Sequence, residues 1–126
     1  MIDEIVIEQF RQDLPIIRAF AGWSLEDLAE MLDVSRTTAT YLESKPGTMK
    51  TIHVYAINYL IAKEMITNEA LSLCINILSR NNIGKYPITR KDLAKKVDEL
   101  KKTVGKKKGS KQLKDDLAKW LRMVPR

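Results

Sequence analysis

In "SRTTATYLES" the side chains of Arg36, Thr37, Thr40 and Tyr41 recur at the spacing of one helix face. They offer a guanidinium, two aliphatic hydroxyls and a phenol, a set suited to hydrogen bonding polar edges. A second set lies in "GKKKGSK", where Lys106, Lys107, Lys108 and Lys111 place ammonium groups close together. Such a cluster suits a polyanion, and about 0.9 counterions are released for each phosphate it neutralises.

Catalytic chemistry finds little to work with. The chain has no Gly-rich phosphate loop, no metal-ligand cluster and no nucleophile motif. The carboxylates of "EDLAE" and "KDD" read as helix-surface groups, not a buried pair. His53 has no Cys or second His at ligand spacing, so it reads as structural or solvent-facing. The expectation is a non-enzyme with no cofactor and no metal.

The charge is unevenly divided. The whole chain of 126 residues carries +6, but residues 1–84 sum to −4 and residues 85–126 to +10. This pattern suggests a basic extension beside a near-neutral core, with nucleic acid as the usual partner of the basic part. The expected division is 1–84 and 85–126. The single Cys74, inside the apolar run "LSLCINIL", excludes an internal disulfide and reads as a small buried hydrophobe. No apolar run of membrane-spanning length appears, and the acidic start "MIDEIVIEQF" has no signal-peptide pattern, so the expected location is the cytoplasm.

The elements that must hold these groups read as helices throughout, about seven in all, and the fold class is all-α. "IDEIVIEQFRQ" has a helical apolar spacing, and Asp13 followed by Pro15 reads as the start of a second helix ending at Gly22. Ser24 with Asp27 three residues on marks a helix start, and Ser35 marks another. Between them lies a short turn with Val34 as an apolar anchor. Ala29 and Ala39 supply the small side chains that two closely crossing helices need. The second helix then points Thr38, Ala39 and Leu42 inward and leaves its other face free to enter a major groove.

Farther along, "KPG" at 45–47 is a turn. "TIHVYAINYLIAKEMI" is apolar on nearly every side and reads as buried in the core or an interface, Tyr55 and Tyr59 included. Thr67 opens the next helix, "NNIGKYP" breaks it, and Thr89 with Asp92 forms a capping box before "KDLAKKVDELKKTV". "GKKKGS" is a basic linker. The helix "KQLKDDLAKWLRMV" presents Leu113, Leu117, Trp120, Leu121 and Val124 on one face, for docking in cis, on another subunit or on a protein partner.

The stretch "IIRAFAGWSLEDLAEMLDVSRTTATYLES" resembles the DNA-binding core of the lambda-repressor-like (Xre/Cro-type) helix-turn-helix family of phage and bacterial regulators. The resemblance covers residues 14–66 and rests on Arg18, Leu28-Ala29, Val34-Ser35, Ala39 and Leu42-Glu43. It implies a five-helix core whose third helix lies in the major groove of double-stranded DNA. On that basis Arg36, Thr37, Thr40 and Tyr41 face the groove, while Ser24 and Ser35 meet phosphates. Arg18 and Glu43 match a pair that ties the first helix to the third in several family members. Lys45 and Lys50 stand in the loop that touches phosphate. Where the family usually has a turn glycine this chain has Asp33, which tolerates left-handed geometry. The function expected is a sequence-specific transcriptional regulator, homodimeric; the alternative is a protein-binding module, an antitoxin or inhibitor, on the same scaffold.

Overall fold

The computed structural model describes residues 2–79, 87–104 and 110–124. Among them are seven helices and no strand: α1 Glu4–Ala21, α2 Leu25–Leu32, α3 Arg36–Ser44, α4 Thr51–Met65, α5 Glu69–Leu78, α6 Arg90–Val104 and α7 Ser110–Met123. Lys106, Lys107 and Lys108, the "NNIGKYP" break except Pro87, and the "GKKKGS" linker except Ser110 lie outside the described residues.

The first helix departs from the sequence expectation. Asp3 caps it, accepting the Ile5 N–H at 2.8 Å, and it runs unbroken through Asp13 and Pro15 to a left-handed Gly22. Pro15 deletes one helical hydrogen bond, a cost of about 3 kcal/mol in a helix interior. Against that, Leu14, Ile17 and Phe20 are fully or almost fully buried, each worth about 1.5–3 kcal/mol. Packing wins, and the helix continues.

Asp13 therefore caps nothing. It is buried, and its carboxylate accepts from Arg90 Nε at 2.9 Å, Arg90 Nη2 at 3.0 Å and Gln9 Nε2 at 3.1 Å. Arg90 also donates to the Leu78 carbonyl at 2.9 Å, so one guanidinium ties the end of α5 and the start of α6 to α1. Arg90→Ala leaves a buried carboxylate short of its donors and is expected to cost about 1–3 kcal/mol; urea unfolding of the variant measures it.

The remaining helices follow local capping. Asn68, not Thr67, caps α5: its Oδ1 accepts the Leu71 N–H at 3.0 Å while its Nδ2 donates to the Phe20 carbonyl at 3.0 Å. The His53 ring Nδ1 accepts the Lys50 N–H at 2.9 Å at the start of α4. Thr89 and Asp92 form the expected reciprocal bonds, at 2.8 and 3.3 Å. Cys74 is wholly buried on α5, and burial, with the Asp13 charge second, pushes its thiol pKa far up. It is an inert core group.

One apolar core joins α1 to everything around it. Leu14, Ile17 and Phe20 of α1 share it with Ile57 of α4, Leu71 and Ile77 of α5, Leu93 and Val97 of α6, and Leu113, Leu117 and Leu121 of α7. The basic extension beyond residue 85 is thus built into the same core as the residues before it. Trp120 packs half-buried against this core, with the Lys96 ammonium 5.8 Å from its ring centroid. The face of α4 that the sequence placed inside is only partly so. Val54, Ile57 and Ile61 are buried, whereas Ile52, Tyr55 and Tyr59 stand in solvent.

Candidate nucleic-acid interface

Helices α2 and α3 are set by short-range chemistry. Ser24 Oγ accepts the Asp27 N–H at 3.0 Å and Asp27 Oδ2 accepts the Ser24 N–H at 2.9 Å, a complete capping box. Asp33 ends α2 in the left-handed region, φ 57° and ψ 47°, and Val34 N–H closes the turn on the Ala29 carbonyl at 2.9 Å. An aspartate fills this position at modest cost where most side chains would be strained. Ser35 then caps α3 by accepting the Thr38 N–H at 3.1 Å, and its oxygen lies 2.9 Å from Thr38 Oγ1.

Burial fixes the rotation of α3. Ala39 and Leu42 are fully buried and Ala29 nearly so, which lets the two helices approach closely. The opposite face then carries Arg36, Thr37 and Tyr41 into solvent, with Thr40 half-buried beside them. The Thr40 hydroxyl donates to the Arg36 carbonyl at 3.0 Å, so it offers a ligand acceptor lone pairs and not its proton. The Lys45 ammonium sits 5.3 Å from the Tyr41 ring centroid, a cation–π contact that holds both at the end of the same face. Lys50 and Lys111 are exposed.

Arg36 is already engaged. Its Nη1 lies 3.0 Å from Glu26 Oε1 of α2, with 66% and 60% of the two side chains exposed. At that exposure the pair is worth about 0–1 kcal/mol and exchanges readily. Sequence reasoning missed it; the two residues stand in the first turns of successive helices. On the same helix Asp27 and Glu30 are also exposed, so α2 presents carboxylates beside the start of α3.

The pair anticipated between Arg18 and Glu43 is formed. Arg18 Nη2 donates to Glu43 Oε1 at 3.0 Å, Nε to Oε2, and Nη1 to the Trp23 carbonyl at 2.9 Å. Arg11, which the sequence reading passed over, donates to the Glu43 backbone carbonyl and pairs with Glu8. Two arginines of α1 thus hold the end of α3.

The basic half of the chain reaches this region. The Lys101 ammonium, near the end of α6, has its pKa lowered by burial first and by the Arg18 charge second, with Glu43 acting the other way. At the start of α7, Lys114 Cδ lies 2.7 Å from where a Cβ on Gly22 would stand, just ahead of α2, and its Nζ is 3.5 Å from Glu64. Any side chain at Gly22 would collide with that stem. Lys114 therefore approaches the α1–α2 junction from the helix that follows the lysine-rich segment. Among the described residues there is no group of three or more His, Cys, Asp or Glu able to hold a metal ion. Comparison with family models, curated proteins and solved structures gives no match.

Proposed function

We propose that this chain is a sequence-specific DNA-binding transcriptional regulator of phage or bacterial type, acting in the cytoplasm as a homodimer and not as an enzyme. In this reading α1–α5 form a five-helix core of lambda-repressor-like type and α3 reads the major groove. The observation that carries it is the presentation of α3. A capped helix follows a three-residue turn, locks Ala39 and Leu42 inward, and leaves Arg36, Thr37 and Tyr41 exposed on one face. An exposed helix with a donor at its first turn is what groove reading requires.

Magnitudes favour Arg36 as the main reader. A bidentate contact from Arg to guanine discriminates by about 1–3 kcal/mol, more than the exposed Glu26 pair it must give up. Selection from a random duplex library should recover a preferred site. Arg36→Ala is then expected to lose about 1–3 kcal/mol on that site and relax one base position. Equal loss on preferred and random duplexes would mean that Arg36 touches only phosphate. A library that yields no preferred site, with Thr37→Ala/Tyr41→Ala behaving like the parent, would reject base reading.

One observation favours a second reading. The exposed carboxylates Glu26, Asp27 and Glu30 on α2 repel phosphate, and they suit a basic protein partner instead. On this reading the chain is an antitoxin or inhibitor, and the same library experiment, returning nothing, selects it.

A further inference from the structure

Arg36 and Glu26 hold a donor and an acceptor side by side at the start of the exposed face of α3. Arg36 Nη1 and Glu26 Oε1 are 3.0 Å apart, and the residues belong to the first turns of α3 and α2. Among the described residues, this is the exposed carboxylate of α2 that is joined to α3. Asp27 is spent on the Ser24 N–H, and Glu30 stands about one turn farther along the helix.

An ionised carboxylate accepts hydrogen bonds and cannot donate them. That restricts what Glu26 can face in a major groove. Guanine shows N7 and O6 there and thymine shows O4, all of them acceptors that repel it. Adenine offers N6–H beside the acceptor N7, whereas cytosine offers N4–H with no acceptor next to it on its own edge. Cytosine therefore suits Glu26 as guanine suits Arg36, and the two bases come together. Guanine O6 accepts from N4 of the cytosine it pairs with, about 2.9 Å away, while the other N4 hydrogen faces the groove. The protein sets a donor and an acceptor 3.0 Å apart, and one G·C pair sets an acceptor and a donor at nearly the same spacing in complementary order.

We infer that Arg36 and Glu26 read one G·C pair together. Arg36 turns its donors to guanine O6 and N7, and the carboxylate that it gives up accepts from the groove-facing N4–H of the paired cytosine. Each acceptor on that edge then meets a donor and its donor meets an acceptor, so the contact made in the free protein is exchanged and no charge is left unmet. Glu26 becomes a second specificity residue, supplied by α2. A carboxylate that would otherwise only repel the duplex then favours one base pair over the other three. The inference rests on base reading by α3 and adds to it the identity of the pair.

The test uses the full chain and a random duplex library. The site selected by the parent should contain a G·C pair whose preference Arg36→Ala relaxes. Glu26→Ala, at an exposed position that caps nothing, should bind random duplexes more tightly, yet lose about fivefold or more of the discrimination at that same pair. Glu30→Ala removes a like charge from the same helix, and should tighten random binding while discriminating as the parent does. N4-methylcytosine in that pair keeps the base pair and replaces the groove-facing N–H. It should weaken binding of the parent by about fivefold or more and leave Glu26→Ala unaffected. Parent-like discrimination by Glu26→Ala, equal weakening of both proteins by the methyl group, or an A·T pair at the position that Arg36→Ala relaxes would each overturn the inference and leave base reading intact. A parent that selects no site would overturn both.

Discussion

Glu43→Ala is expected to lower unfolding free energy by about 3–5 kcal/mol, and Arg18→Met to do the same, because each leaves its partner charged and largely buried. The two side chains are only 12% and 10% exposed, and Arg18 spends its third donor on the Trp23 carbonyl. For a chain of this size the loss corresponds to roughly 10–20 °C in Tm. Arg18→Met/Glu43→Leu should recover much of it, since two apolar groups leave no orphaned charge. Urea unfolding of the four proteins gives the coupling energy. Additive losses would show that the pair contributes nothing beyond the packing of its stems. On the proposed DNA-binding reading, affinity should fall only as far as the fold loosens, because both side chains are largely buried away from the exposed face of α3.

The second large effect concerns salt. Replacing Lys106, Lys107, Lys108 and Lys111 together by Gln is expected to flatten the slope of log affinity against log salt by roughly 2–4 units per subunit. The preferred base sequence should stay the same, because phosphate contacts position and do not specify. Deleting everything after Val104 would be a poor version of this experiment. It removes Leu113, Leu117 and Leu121, all buried in the shared core, so the remainder would lose its fold along with its lysines. The packing of Lys114 against Gly22 brings the start of α7, which follows these lysines in sequence, next to the start of α2. Fluorescence anisotropy across a salt series, on preferred and random duplexes, measures the slope. A parent-like slope in the folded variant would remove these lysines from the interface.

What could be read in the sequence was what local chemistry decides. Ser24 with Asp27, Ser35, and Thr89 with Asp92 are self-contained signals, and each forms the bonds its spacing suggests. The rotation of α3 was legible for the same reason, since Ala39 and Leu42 are its only apolar positions other than Tyr41. Asp13 misled because aspartate ahead of proline is a helix-start pattern, while its true partner, Arg90, is 77 positions away. A helix that is apolar all round, like α4, carries no periodic signal of which side is inside. Only the neighbours that reach Val54, Ile57 and Ile61 settle that. Arg11 and Glu26 went unnoticed because charged residues on helices are common and the partners of both, Glu43 and Arg36, lie on another helix.

The position of α1 has a consequence during synthesis. Residues 4–21 leave the ribosome ahead of α2–α7, yet the leucines of α7 that help to cover Leu14, Ile17 and Phe20 follow about ninety residues later. At roughly 5–20 residues per second the apolar side of α1 waits several seconds for them. The nascent chain can assemble α2 and α3 early, since their mutual contacts are local, while α1 keeps an open flank. Growth of the polypeptide therefore passes through a stage in which α3 is formed but the wall behind it is unfinished, and release of α7 closes that wall.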